Sequence, residues 1–197
     1  MKILAFGDSH GDKNSFDEII KNSTKVDVVI CTGDISLWGE NEEKWIKYLA
    51  EKINKPIIMT YGNHEYEKEI KKLCKKYKLL FLHKKSIKKG CSRFFGYGGG
   101  GFSEKNENFE KTAEQFYKTV KKDEKIIIVT HGPPYGTKID FIEGIGHTGC
   151  KSMRKILDEK KPDVWICGHI HETEGEVEVV GKTVIVNPGP FGREIKI

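Results

Sequence analysis

Apolar residues occur along this chain in short unbroken runs, each stopping at a glycine or a polar cluster. Helix-spaced stretches separate them. Met1–Gly7, Asp27–Thr32, Pro56–Tyr61, Lys125–Thr130 and Asp163–Cys167 carry cores such as Ile-Leu-Ala-Phe and Val-Val-Ile-Cys. Such runs are continuous, not alternating, which predicts strands buried on both faces. Leu79–Leu82 and Cys91–Tyr97 read as further strands, and Gly175–Val180 with Lys182–Asn187 as a hairpin turning at Gly181. Helices are predicted over Asn14–Thr24, Asn41–Ile53, Glu67–Tyr77, Asn108–Lys122 and Cys150–Glu159. In the second of these, Trp45, Leu49 and Ile53 recur every fourth residue. The first half alternates strand and helix, which implies a mainly parallel sheet covered by helices. Gly132–Gly149 has no period and is rich in Gly and Pro, so it reads as a long loop. We expect one domain over residues 1–197.

Composition narrows the class. No stretch approaches the roughly 18–20 consecutive apolar residues of a membrane span. The first apolar run ends at Asp8 and lacks the features of a secretory leader, so a soluble cytoplasmic protein with no membrane partner is expected. The five cysteines are odd in number and form no CxxC pair, which fits reduced thiols and gives a zinc knuckle no support. The net charge of +5 is carried by lysine in runs such as 71–76 and 84–89. Few aromatics interleave with these lysines, so a solvated helix face is favoured over a nucleic-acid surface. Nucleic acid stays a lesser alternative. Arginine, the usual bidentate phosphate fork, is limited to Arg93, Arg154 and Arg193. The bias towards Lys, Glu and Ile, with Gln115 the one glutamine, hints at a thermophile.

The chemistry lies where the apolar runs end. Five motifs stand there: Asp8-Ser9-His10, Gly33-Asp34, Gly62-Asn63-His64-Glu65, Thr130-His131-Gly132-Pro133-Pro134 and Gly168-His169-Ile170-His171. Five of the chain's 7 histidines fall inside them. Open α/β sheets place their ligands at strand ends. Imidazole nitrogens with aspartate and asparagine oxygens, and no thiolate, suit manganese, iron, cobalt, nickel or zinc, with manganese or iron favoured over structural zinc. There are enough groups for two metals, and the carboxylate of Asp34 has two oxygens with which to bridge them. Paired metals of this kind clamp the oxygens of an in-line displacement at phosphorus and make hydroxide available near neutral pH. Residues two apart in extended backbone project to one side, as Asp8 with His10 and His169 with His171 would. The neighbouring glycines Gly7, Gly33, Gly62 and Gly168 are expected to let the backbone turn sharply.

With these residues the chain resembles the calcineurin-like metallophosphoesterases, whose pattern runs D-x-H, G-D, G-N-H-[ED], a lone histidine after a strand, and G-H-x-H. All five are present in order from Asp8 to His171. The resemblance implies a four-layer α-β-β-α sandwich with mixed sheets and a dinuclear site at the strand ends. It implies that Asp8, His10, Asp34 and His171 ligate one metal and that Asp34, Asn63, His131 and His169 ligate the other. Two divalent ions (Mn, Fe, Ni, Co or Zn, with Mn favoured) would be the cofactors. His64 matches the family's non-ligand histidine, which contacts the phosphate and protonates the leaving group. The segment Gly33-Asp34-Ile35-Ser36-Leu37-Trp38-Gly39 lacks the second aspartate and the arginine of the protein phosphatases in this superfamily, which argues against that activity. The chain also lacks room for the extra domains of its large repair nucleases. The expected function is phosphodiester hydrolysis of small or nucleotide-type substrates. A non-catalytic scaffold and a nuclease are the alternatives.

Four features carry less weight. Gly98–Gly101 has no following Lys-Ser or Lys-Thr and is read as a tight turn near the site, not a phosphate loop. Trp38 is expected in the core, with base stacking the lesser reading. His147, beside Asp140, is read as an ordinary loop histidine, with a place in the substrate pocket as the alternative. Asp12 and Glu65 are candidate partners for the second nitrogen of ligand histidines.

Overall fold

The continuous apolar runs form two sheets that face each other. The computed structural model describes residues 1–197. In the first sheet, β1 (Lys2–Phe6), β2 (Val28–Cys31), β3 (Ile57–Met59) and β4 (Leu80–Phe81) run parallel, and β13 (Arg193–Lys196) joins β1 antiparallel at the other edge. The second sheet is built on β6 (Ser92–Tyr97), β7 (Lys125–Thr130), β10 (Val164–Ile166) and β12 (Thr183–Val186), all parallel. It is edged by antiparallel β5 (Lys85–Lys89) and β11 (Val177–Val180).

Each strand divides its residues between two cores because side chains alternate across a strand. Ile3, Ala5, Val28 and Ile30 point inward against Phe94, Ile127, Val129 and Ile166 of the opposite sheet. Leu4, Phe6, Val29 and Met59 point outward against Phe16, Ile46, Leu49 and Ile70 of α1 (Lys13–Ser23), α2 (Glu42–Lys52) and α3 (Glu67–Lys76). On the far side, Phe95, Ile128 and Trp165 pack against Phe109, Met153 and Ile156 of α4 (Glu107–Tyr117) and α5 (Lys151–Lys160). The result is a four-layer α-β-β-α sandwich. Each fully buried aliphatic or aromatic side chain contributes about 1.5–3 kcal/mol, and both faces of every central strand are used.

Three sequence expectations need correction. The lysine run at 85–89 is not a helix face but the edge strand β5, with Ile87 half-buried between exposed Ser86 and Lys88. The strand β13 went unread because Ile195 is its one buried residue. The segment 132–149 is not structureless. It holds a 3-10 turn at Lys138–Asp140 and a hairpin of β8 (Phe141–Ile142) and β9 (Gly146–His147). No helix is long and apolar enough to cross a membrane.

Candidate metal centre

The five motifs follow β1, β2, β3, β7 and β10, three strands of one sheet and two of the other, so their loops meet at one end of the sandwich. Asp8, His10 and His171 offer ligand atoms within 4.8 Å of one another, as do Asp8, Asp34 and His131, and also His10, Asp34 and His64. His10 Nε2 is 3.1 Å from His171 Nε2. His131 Nε2 is 2.8 Å from Asn63 Oδ1 and 3.4 Å from Asp34 Oδ2. The His169 ring lies edge-on to His131, with centroids 5.0 Å apart. All seven candidate ligands therefore surround one small volume. The two histidines of the Gly-His-Ile-His motif divide, His171 towards His10 and His169 towards His131.

The backbone achieves this differently from the expected extended pairing. Asp8, His10, Asp34 and His169 all adopt left-handed φ, at 55°, 43°, 51° and 74°. Such conformations cost of order 1–3 kcal/mol each for non-glycine residues and persist where the surroundings enforce them. Of the four glycines expected to supply sharp turns, only Gly33 has positive φ, at 110°. Gly62 and Gly168 instead supply space. A Cβ at Gly62 would lie 2.0 Å from Asp34 Oδ1, and one at Gly168 would lie 2.2 Å from Asp8 Oδ2.

Buried carboxylates dominate the electrostatics. Burial raises the Asp8 carboxyl above its ordinary range. Burial pushes Asp34 the same way, but the hydrogen bond and charge of His131 outweigh it and the net shift is downward. Burial opposes the charged form of His131, yet its contact with Asp34 and the charge of Asp8 lift it to about 9. Burial, together with the charge on His131, drives His169 down to about 3, and burial lowers His10 as well. His131 Nδ1 donates to the Thr32 carbonyl at 3.2 Å, which turns Nε2 towards the site.

Whether this pocket suits metal ions is decided by its orphaned atoms. Asp8 Oδ1, His10 Nδ1 and His169 Nε2 are buried with no hydrogen-bond partner. Unpaired buried acceptors are costly in a folded protein, and a cation satisfies them. With two carboxylates and four imidazoles converging, the residues fit divalent ions.

Glu65 does not brace a ligand histidine. Its carboxylate accepts backbone N–H groups from Asp34 at 3.0 Å, Gly62 at 2.8 Å and Ser36 at 3.4 Å, and also from Ile35. It thereby ties the β2 loop to the β3 loop. Burial, with Asp34 nearby, raises it to about 7. Asp12 caps α1 instead, accepting from Asn14 and Ser15. Trp38 is not in the core. It is 71% exposed and stacks on His64, with ring centroids 4.0 Å apart. His64 Nε2 stands 3.8 Å from Asp34 Oδ2, and its backbone N–H donates to Asp34 Oδ1 at 3.0 Å.

A cleft of about 290 Å³ opens over the centre, lined by Asp34, Asn63, His64, His169 and His171 among others, with Phe102 and Ile142 as apolar walls. Sequence reasoning missed both walls, since neither sits in a motif or a periodic segment. The glycine loop 98–101 passes beside the centre, where a Cβ on Gly101 would come within 3.4 Å of Asn63. His147 lies outside this cleft, in an adjoining one that also uses Phe102.

Comparison with known proteins agrees with the geometry. The family model described as "Calcineurin-like phosphoesterase" matches residues 1–173. The chain is 32% identical to the uncharacterized protein MJ1162 of Methanocaldococcus jannaschii over 96% of its own length and 88% of the relative's. It is 28% identical to the UPF0046 protein K07C11.7 of Caenorhabditis elegans over 95% and 69% of the two chains. The crystal structure of TT1561 of Thermus thermophilus superposes with a TM-score of 0.73 at 15% identity, covering 95% of this chain and 88% of that one. At that identity the likeness shows the fold.

Proposed function

The chain belongs to the calcineurin-like phosphoesterase family, and from that premise we propose that it is a dinuclear-metal phosphohydrolase acting on small or nucleotide-type phosphodiesters. One observation carries the reading. Seven oxygen- and nitrogen-bearing side chains from five strand ends of both sheets converge on a single volume at the floor of the cleft, and three of their atoms are buried with no other partner. Asp8, His10, Asp34 and His171 would hold one ion, and Asp34, Asn63, His131 and His169 the other. Manganese suits this thiolate-free set best. Bound there, such ions supply Lewis-acid activation of water and neutralise charge on the phosphoryl oxygens.

The protein's own groups do the rest. Asn63 and His64 line the cleft, and their side-chain N–H groups would meet the phosphoryl oxygens. Water oxygen attacks phosphorus in line and the opposite P–O ester bond breaks. The departing oxygen takes a proton from His64 Nε2, and the proton released by the attacking water passes to solvent, from which His64 is reprotonated. The products are a monoester and an alcohol. Stacking by Trp38 limits rotation of the His64 ring. Phe102 and Ile142 restrict water at the wall.

The diester preference rests on charge. No lysine or arginine lines the cleft. All three arginines are engaged elsewhere: Arg93 with Thr119 and Glu124, Arg154 with Asp158 and Gly136, Arg193 with Gly175. A monoester dianion carries a further charge that nothing here is placed to meet. The cysteines are all free, which supports a reducing, cytoplasmic location.

The test is metal content together with turnover of bis(4-nitrophenyl) phosphate against 4-nitrophenyl phosphate, after chelation and manganese reloading. Asp34→Asn is expected to lose metal and activity together. A clear monoester preference overturns the substrate class. No turnover of any phosphoester by loaded protein leaves the scaffold reading.

A further inference from the structure

Beside the metal cleft lies a second one of about 370 Å³, lined by Phe102, Glu104, Tyr135, His147 and Lys151 among others. Phe102 is common to both, packing edge-on to His169 with centroids 4.3 Å apart. The hairpin of β8 and β9 links them too. Ile142 faces the metal cleft, its strand partner is Gly146, and His147 follows in the second cleft.

His147 is held by an unusual anchor. Asp140 is fully buried, and its carboxylate gathers the N–H groups of Gly136, Thr137 and Gly149, the Thr137 hydroxyl, and His147 Nδ1 at 2.8 Å. A buried carboxylate is retained only when its partners satisfy it. Here the carboxylate fixes both the loop and the imidazole. With Nδ1–H committed to Asp140, Nε2 is the ring nitrogen left for a ligand, and in neutral imidazole it accepts. Tyr135 stands 5.5 Å from the His147 ring, and Lys151 Nζ sits 5.2 Å from the Tyr135 ring while pairing with Glu104. Two rings, one acceptor and one ammonium make a place for a flat heterocycle that carries an N–H beside a carbonyl.

We propose that this second cleft binds the nucleobase of the ester substituent that stays on phosphorus, with His147 and Tyr135 as specificity-determining residues. The inference rests on the phosphodiesterase reading above. The assignment to the retained substituent follows from placement. His64, the proton donor, stacks on Trp38 and lies against His10, whereas Phe102 lies against His169. The leaving group departs beside His64, so the other substituent extends past Phe102. A sugar is the spacer that carries a base from one cleft to the next. The volume suits a base, since small-molecule sites begin at about 300 Å³.

The experiment compares two diesters with the same leaving group, thymidine 5′-(4-nitrophenyl) phosphate and methyl 4-nitrophenyl phosphate, on manganese-loaded protein. The wild type is expected to favour the thymidine diester by about tenfold or more in kcat/KM, the scale of one base stacked on aromatic side chains. His147→Ala should cut that ratio by about fivefold, through KM for the thymidine diester. Tyr135→Leu leaves the Asp140 network in place and gives the same readout independently of the loop's stability. A wild-type ratio near one overturns the inference while leaving the hydrolase intact, as does an equal loss on both substrates in both variants. If the wild type turns over neither diester, the phosphodiesterase reading falls and this one with it.

Discussion

Lowering the pH should loosen this fold through one histidine outside the metal centre. His83 is buried, its Nδ1 accepts the Gly98 N–H at 2.9 Å, and its Nε2 has no hydrogen-bond partner. Burial holds the imidazole down to about 4, with Lys84 and Lys71 adding to the effect. Glu67, 3.6 Å from Nε2, offsets only part of it. In the unfolded chain the same group titrates at its ordinary value of 6.5. Because the folded value is depressed, the unfolded state takes up the proton first. Stability is complete above the unfolded value and drains away as the pH falls towards the folded one. At about 1.36 kcal/mol per pKa unit, the full loss is roughly 3 kcal/mol, of which about 2 kcal/mol is gone between pH 7 and pH 5, before most carboxylates titrate. Urea unfolding of the wild type and of His83→Asn across that range measures it. The variant keeps an acceptor near the Nδ1 position but no titratable ring, so the gap between the two curves should close as the pH drops. Parallel curves would refute the reasoning. Protonation in the folded state also removes the acceptor for Gly98, the first residue of the glycine loop beside Asn63, so hydrogen-exchange protection at Gly98–Gly101 should fall as the pH approaches 4.

Three further outcomes are expected. His64→Ala should retain its metal by elemental analysis and lose about 10²–10⁴-fold in kcat, the ordinary worth of a placed proton donor. Glu65→Ala strands the backbone N–H groups of Asp34, Ile35, Ser36 and Gly62, so its denaturant midpoint should show a loss of about 3–5 kcal/mol. Gly62→Ala sets a methyl 2.0 Å from Asp34 Oδ1 and 2.7 Å from His131 Cε1, so calorimetric titration with manganese should show weakened binding even where circular dichroism reports a native sheet.

The central strands were legible in the sequence wherever a strand is apolar on both faces, because runs as short as Ile3-Leu4-Ala5-Phe6 or Ile126-Ile127-Ile128-Val129 suit buried strands better than helices. That they divide between two facing sheets was implied by the family resemblance and not by the pattern. It was illegible at the edges. Strand β13 has one buried side chain among charged ones, and β5 is mostly lysine, so neither carries a periodic signal. At the centre, residue types and spacing announced the metal chemistry, but not how the backbone delivers it. Left-handed φ at Asp8, His10, Asp34 and His169 is enforced by tertiary contacts, which no local propensity reports. Trp38 reads as a core residue because tryptophan usually is one, and only the Trp38–His64 stack shows its place. Glu65 looked like a partner for imidazole, yet the nearest unmet donors were peptide groups of two separate loops.

The lysines that gave the chain its net charge have a use far from phosphorus. Two open sheets expose four rims, each a row of free peptide groups on which another protein's strand could template itself. At two of them stand Lys85, Lys88 and Lys89, and Arg193, Glu194 and Lys196, and the 3-10 turn at Lys138–Asp140 covers the β11 rim, its Lys138 N–H donating to Glu178. Zipping a second copy onto such a rim would force like charges together and strip them of water. Charge along these borders disfavours the addition of a further strand.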